Sequence, residues 1–135
     1  MRRSGSSPLV PVIAAALLLA ACGGNDREDV RQTVRDFVQA TDRRDADKFC
    51  GQLVTQEFLE QTTGATGDRA MDACRQQLSA VTGLRVRLVR LGRIQIDGDR
   101  ATARVVLETQ GRRDVRLLRL RKEDGDWRLA GGRGE

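Results

Sequence analysis

The sequence predicts an α+β fold, with three N-terminal helices packed on a bent four-stranded antiparallel sheet. Three observations carry this. Apolar residues recur at helical spacing from Val30 to Val81. From Gly83 onward the spacing changes to two. Two Asp-Gly pairs, Asp97-Gly98 and Asp124-Gly125, punctuate the second half as hairpin turns. Helices followed by strands, rather than alternating with them, define the α+β class. A chain of 135 residues has room for one small domain.

The first segment stands apart. Arg2 and Arg3 form a basic start, and Val12 to Ala21 is wholly apolar. As a helix that run rises about 15 Å, against a bilayer core of about 30 Å. It therefore reads as a leader peptide rather than a permanent span. Leu19-Ala20-Ala21-Cys22 resembles the lipobox of bacterial lipoproteins, with Gly23-Gly24 behind it. The resemblance implies a diacylglyceryl group on the Cys22 thiol, cleavage before Cys22, and an extracytoplasmic domain held on the outer face of the membrane. An ordinary secretory signal cut after Ala21 fits less well, because bulky Leu19 occupies a position that wants a small residue. The expected organisation is a leader over residues 1–21, a lipidated Cys22 and tether over 22–25, a domain over 26–130, and a flexible tail over 131–135.

The helices follow in order. Asn25 and Asp26 suit an N-cap, and Glu28 and Asp29 suit the positive end of a helix. Val30, Val34, Phe37, Val38 and Thr41 then share one face, so Asp29 to Asp42 forms the body of an amphipathic helix. Asp45 caps a second helix with Ala46, Phe49, Cys50 and Leu53 on one side. Thr55 caps a short turn carrying Phe58 and Leu59. Residues 61–67 have loop composition, and Asp68 caps a third helix with Met71, Cys74, Leu78 and Val81 inward.

Three cysteines become an even pair once Cys22 is assigned to lipid. Cys50 and Cys74 both fall on apolar helix faces, and outside the cytoplasm such a pair reads as a disulfide. Closing a loop of about 25 residues stabilises a domain by about 3.5 kcal/mol in the chain-entropy picture. Two cysteines without histidine are too few for a structural zinc site.

In the strand half, Leu84, Val86 and Leu88 alternate with Arg85 and Arg87. The alternation slips at Val89 to Leu91, which predicts a bulge or bend, and resumes at Ile94 and Ile96. Ala101, Ala103, Val105 and Leu107 alternate in a second strand. Val115 and Leu117 belong to a third, with another slip at Leu118 to Leu120, and Trp127 and Leu129 belong to a fourth.

The opening helix (Val30, Val34, Phe37, Val38), the two short helices after Asp45, the hairpin at Ile96 to Ala101 and the ending Asp124-Gly125-Asp126-Trp127-Arg128-Leu129 carry a resemblance. This layout resembles the nuclear-transport-factor-two-like superfamily, the cone-shaped fold of ketosteroid isomerases and SnoaL-like proteins. It also resembles small actinobacterial lipoproteins, which the arginine-over-lysine bias suits. A cystatin-like fold or a plain helix-plus-meander is the structural alternative. Members of such a superfamily include enzymes, binders and scaffolds, so the fold alone assigns no activity.

Composition narrows the chemistry. There is no histidine and no tyrosine. That removes an imidazole base or metal ligand and a phenol donor. On the second strand the inward positions are Asp99, Ala101, Ala103, Val105, Leu107 and Thr109; Asp99 sits at the turn and Glu108 has the opposite parity. No acid stands mid-strand as a pocket base. Ser79 has no histidine partner, and neither a dinucleotide fingerprint nor a phosphate loop is present. The Asp97–Asp99 and Glu123–Asp126 turns lack the ligand spacing of a calcium loop. The chain is read as a non-enzyme with no cofactor and no metal site.

Two candidate surfaces remain. Residues 26–80 carry 8 basic and 11 acidic side chains, whereas residues 81–135 carry 14 and 8, so the strand half is cationic. Arg85, Arg87, Arg104 and Arg116 form a candidate basic face for an envelope protein, an anionic surface or a second copy of the chain. Nucleic acid is excluded as a partner by location and by the lack of interleaved aromatics. Phe37, Phe49, Phe58, Val105, Leu117 and Trp127 form a candidate pocket for a small apolar ligand. The plain alternatives are a solvated sheet face and an ordinary core.

Overall fold

The computed structural model describes residues 22–135, with side chains from Asn25 onward. The leader read over residues 1–21 and the Cys22 thiol read as the lipidation site lie outside the described residues.

Helix α1 spans Cys22–Arg43 and buries Val30, Val34, Val38 and Ala40 on one stripe. It starts at Cys22, so the stretch read as a tether over 22–25 is its opening turn. Asp26, a cap candidate in sequence, has another task. Its Oδ1 accepts hydrogen bonds from Lys122 Nζ at 2.8 Å and Trp127 Nε1 at 3.1 Å, which clamps the start of α1 to the sheet. Arg27 Nη1 adds a bond to the Ile94 carbonyl at 3.2 Å.

The second helix begins as expected at Asp45, whose side chain accepts from the Lys48 N–H. Helix α2, Ala46–Lys48, widens into a π-helical turn at Phe49–Leu53. Thr55 then caps α3, Gln56–Thr63, by accepting from the Phe58 N–H at 3.1 Å. What reads as a short turn is therefore a full helix, and four helices pack on the sheet where three are expected. Helix α4, Asp68–Ala80, is entered from Gly67, so Asp68 is its first residue rather than its cap. A disulfide joins Cys50 in the π-helical turn to Cys74 in α4, with Cα atoms 6.0 Å apart.

The sheet is a meander of β1 (Val86–Asp97), β2 (Arg100–Thr109), β3 (Arg112–Glu123) and β4 (Asp126–Gly134) in sequential order. All pairings are antiparallel. Two-residue turns connect the strands: Gly98-Asp99, Gln110-Gly111 and Asp124-Gly125, with positive φ at Gly98 and at both residues of the other two. These are the primed turns whose twist matches the sheet. The bulge expected after Leu88 is present, and a second follows Leu91. Gly92 lies in that second irregularity, where a β-carbon would stand 3.1 Å from the Arg104 carbonyl oxygen.

Two strand readings change. The pairing of β3 with β2 is unbroken, so Leu118 and Leu120 face Ala103 and Ala101 and are buried with them. Leu117 and Val115 consequently point to the other face, and the register shift falls across from β3, on β4 between Leu129 and Gly131. The tail read over 131–135 is mostly strand: Gly131 to Gly134 pairs with Arg119 to Arg116. Glycine pairs through its backbone and leaves no alternation in the sequence to reveal it.

The core joins Val30, Val34, Cys50, Val54, Leu59, Ala70 and Cys74 from the helical half to Ile94, Ala101, Ala103, Val105, Leu118, Leu120, Trp127 and Leu129 from the sheet. The segment entering α3 runs along the β4 edge, with the Thr55 N–H donating to the Leu129 carbonyl at 2.9 Å. That covers part of one sheet edge. Among the described residues, no helix is long and apolar enough to cross a membrane.

Candidate functional site

The strand period of two gives the sheet two faces of different chemistry. Inward positions of β2 are those read from the sequence: Ala101, Ala103 and Val105 are buried, and Leu107 packs against the core. Outward positions of the same strand are Arg100, Thr102, Arg104, Val106 and Glu108.

Five of the six candidate pocket residues belong to the core region. Val105 and Trp127 are buried; Phe37, Phe49 and Phe58 pack against them and their neighbours. The Phe37 and Phe49 rings lie 5.3 Å apart. Leu117 is on the open face, opposite Arg104, because the unbroken β2–β3 register puts it there. The indole of Trp127 is fixed by its bond to Asp26, and the Thr33 hydroxyl donates to its carbonyl at 3.2 Å.

Three clefts stand out among the described residues. One, of about 540 Å³, lies at the β1–β2 hairpin end and is lined by the outward Gln95, Asp97, Arg100, Thr102, Arg119 and Arg121 together with Ile96, Ala101, Leu120 and Ala130. A second, of about 470 Å³, lies between α1, the π-helical turn and the β3–β4 turn, and Trp127 borders it. A third, of about 320 Å³, is lined by Asp42, Arg85, Val86, Arg87, Glu108 and Gly111. The phenylalanines of the expected pocket line none of the three.

The first cleft is built by neighbouring strands. Arg100 and Arg121 are direct cross-strand partners, and Thr102 stands opposite Arg119. Gly131 supplies the platform for Arg119, since a β-carbon there would stand 2.5 Å from Arg119 Nη2. Arg121 pairs with Glu57 at 3.2 Å. Such a groove offers guanidinium forks and a hydroxyl to an anion. Sequence reading placed these arginines in the cationic half without singling them out. The strand register, which assigns them one face, was the missing signal.

The candidate basic face divides. Arg87 and Arg104 are on the open face, paired with Glu108 at 3.0 Å and Glu135 at 2.8 Å. Arg85 precedes β1 and lines the third cleft. Arg116 is opposite Val105 and therefore on the helix-facing side, exposed at the strand end, with Asp114 at 4.0 Å. Parity along β3 separates Arg116 from Arg104, so the four do not share one surface.

Three surface carboxylates are tied to hydrogen-bond donors. Hydrogen bonds from Arg113 and then Arg87 hold Glu108 below the usual carboxylate range. Bonds from Lys122 and Trp127 do the same for Asp26, and bonds from the Gln56 side chain and the Gly67 N–H for Glu60. Arg128 Nη1 donates to the Gly51 carbonyl at 3.1 Å, while its buried Nε has no partner among the described residues. Among those residues, no three of Cys, Asp or Glu converge as a metal-binding group.

Solved structures share this fold. An NTF2-like protein with a cystatin-like fold from Novosphingobium aromaticivorans aligns with TM-score 0.62 at 18% identity, covering 82% of this chain and 80% of that one. A protein of unknown function from Mycobacterium tuberculosis gives 0.60 at 20% identity over 83% and 72%. A Kribbella flavida protein gives 0.57 at 17% over 82% and 90%. No family model matches the sequence, and no curated protein matches it. The fold is the NTF2-like, cystatin-like one, and at these identities the likeness carries no activity.

Proposed function

We propose that the chain is a lipid-anchored, extracytoplasmic, non-catalytic domain that binds an anionic envelope partner on the open face of its sheet. The observation that carries this reading is the placement of the cleft. The largest of the three described is lined by the outward Arg100, Arg119 and Arg121, and the aromatic residues of the helix side pack with the core. The absence of histidine and tyrosine supports a binding role over catalysis. The lipobox-like Leu19 to Cys22 supports the anchor.

The groove is tested by calorimetric titration of the detergent-solubilised full chain with inorganic pyrophosphate. Salt-sensitive binding that disappears in Arg119→Ala supports the reading. No heat of binding, together with a co-purified apolar molecule in native mass spectrometry, would favour the pocket reading instead. The anchor is tested separately: Cys22→Ser moves the protein from the membrane to the soluble fraction, and unchanged partition sinks it.

A further inference from the structure

The two ends of the molecule carry opposite charge. At one end the start of α1 meets the β1–β2 and β3–β4 turns. Asp26 bonds to Lys122 and Trp127, Arg27 reaches the Ile94 carbonyl, and the Lys122 N–H donates to the Asp99 carbonyl at 2.7 Å. This end gathers Asp26, Asp97, Asp99, Glu123, Asp124 and Asp126, which outnumber Arg27, Arg100, Arg121 and Lys122 beside them. At the other end the close of α1 meets the start of β1 and the β2–β3 turn. The Val86 N–H donates to Asp42 Oδ1 at 2.9 Å, and the Gln110 N–H donates to the Arg85 carbonyl at 3.2 Å. This end gathers Arg43, Arg44, Arg85, Arg87, Arg112 and Arg113, which outnumber Asp42, Asp45, Glu108 and Asp114 beside them.

We propose that this basic pole is a docking surface for a phosphate-bearing polyanionic polymer and is turned away from the membrane that holds the chain. The orientation rests on the anchor read at Cys22; the docking chemistry does not. Cys22 opens α1 at the acidic end, and a helix of 22 residues rises about 33 Å to the basic end. An anionic leaflet meets a mixed near pole with an excess of carboxylates and lies several Debye lengths from the far one.

Of the carboxylates at the basic pole, Asp45 caps α2, Asp114 lies 4.0 Å from Arg116, and the two nearest the cleft are engaged. Asp42 accepts from the Val86 N–H, and the two oxygens of Glu108 are taken by Arg87 at 3.0 Å and Arg113 at 3.1 Å. Arg43, Arg44, Arg85 and Arg112 have no ion pair among the described residues. Arg85 and Arg87 flank the 320 Å³ cleft, which gives the polymer a concave seat. Every cation named here is arginine, whose planar fork matches phosphate oxygens in pairs. The surface also offers a polymer no aromatic platform on which to stack a base.

The test uses the lipidated full chain in phosphatidylcholine vesicles, with inorganic polyphosphate as the probe. Wild type binds, and added salt weakens binding. At roughly fivefold per arginine, Arg85→Ser/Arg112→Ser/Arg113→Ser lowers affinity about a hundredfold. Glu123→Gln/Asp124→Asn, at the opposite pole and outside the three clefts, changes it less than about twofold. Circular dichroism of each variant separates lost binding from lost fold. Replacing part of the lipid with phosphatidylglycerol leaves polyphosphate binding unchanged if the pole faces outward. No binding by wild type overturns the docking surface. A loss that follows Arg119→Ala instead of the triple variant moves the polymer to the groove and overturns it too. Binding that collapses with phosphatidylglycerol shows the pole lying on the bilayer and overturns the orientation. Failure to enter vesicles at all removes the anchor reading, while polyphosphate binding by the same sample still decides the surface.

Discussion

The two faces of the sheet are written by alternate residues of the same strands and have opposite chemistry. On β2, Ala101, Ala103 and Val105 turn to the helices and are buried, and Arg100, Thr102 and Arg104 turn outward. The inner face is closed by contact with the helical half, so substitutions there act on stability. The open face holds its charges in exposed pairs and an arginine-lined groove, so substitutions there act on binding. Neighbouring positions in the chain thus differ in what their loss does.

The largest break in stability is expected at Trp127. It is 4% exposed, and its indole N–H is spent on Asp26. Trp127→Ala lowers the unfolding free energy by about 3–5 kcal/mol in urea titration. Separating Cys50 from Cys74 by Cys50→Ala/Cys74→Ala comes next, at about 3.5 kcal/mol, because the bridge joins the π-helical turn to α4. Ala103→Leu sharpens the comparison from the other direction. Ala103 has no exposed surface, and adding volume costs about 1–3 kcal/mol.

Acid titration gives a subtler contrast. The folded carboxyl of Asp26 is held below its ordinary value by Lys122 and Trp127. Its contribution to stability is therefore present above the unfolded value and is lost as pH falls through the folded one. Asp26→Asn removes that part of the acid dependence, measured as the change in urea midpoint across the acid range. The smallest effect is expected at Arg104, half exposed and paired with Glu135. Arg104→Ala shifts stability by no more than about 0.5 kcal/mol.

Periodicity and the Asp-Gly turns made the class, the meander and the first bulge legible, and the even pair of cysteines on apolar helix faces did the same for the Cys50–Cys74 bridge, because each leaves a pattern in side-chain type. What stayed hidden left no such pattern. Gly131 to Gly134 pairs by backbone and has no alternation to read. Leu117 and Leu118 are adjacent and equally apolar, and only the pairing with Arg104 and Ala103 decides which turns inward. The groove followed the same rule: Arg100, Arg119 and Arg121 lie on two strands and meet only through register. The clamp of Asp26 on Trp127 joins residues 101 positions apart, and nothing local announces it.

Arg119→Ala, measured in parallel for pyrophosphate affinity and for urea midpoint, tests the division of labour between the faces most directly. The account predicts that pyrophosphate binding is lost while the midpoint stays where it is in wild type. Unchanged binding, or a loss of binding that accompanies a fall in the midpoint as large as that of Trp127→Ala, would contradict it.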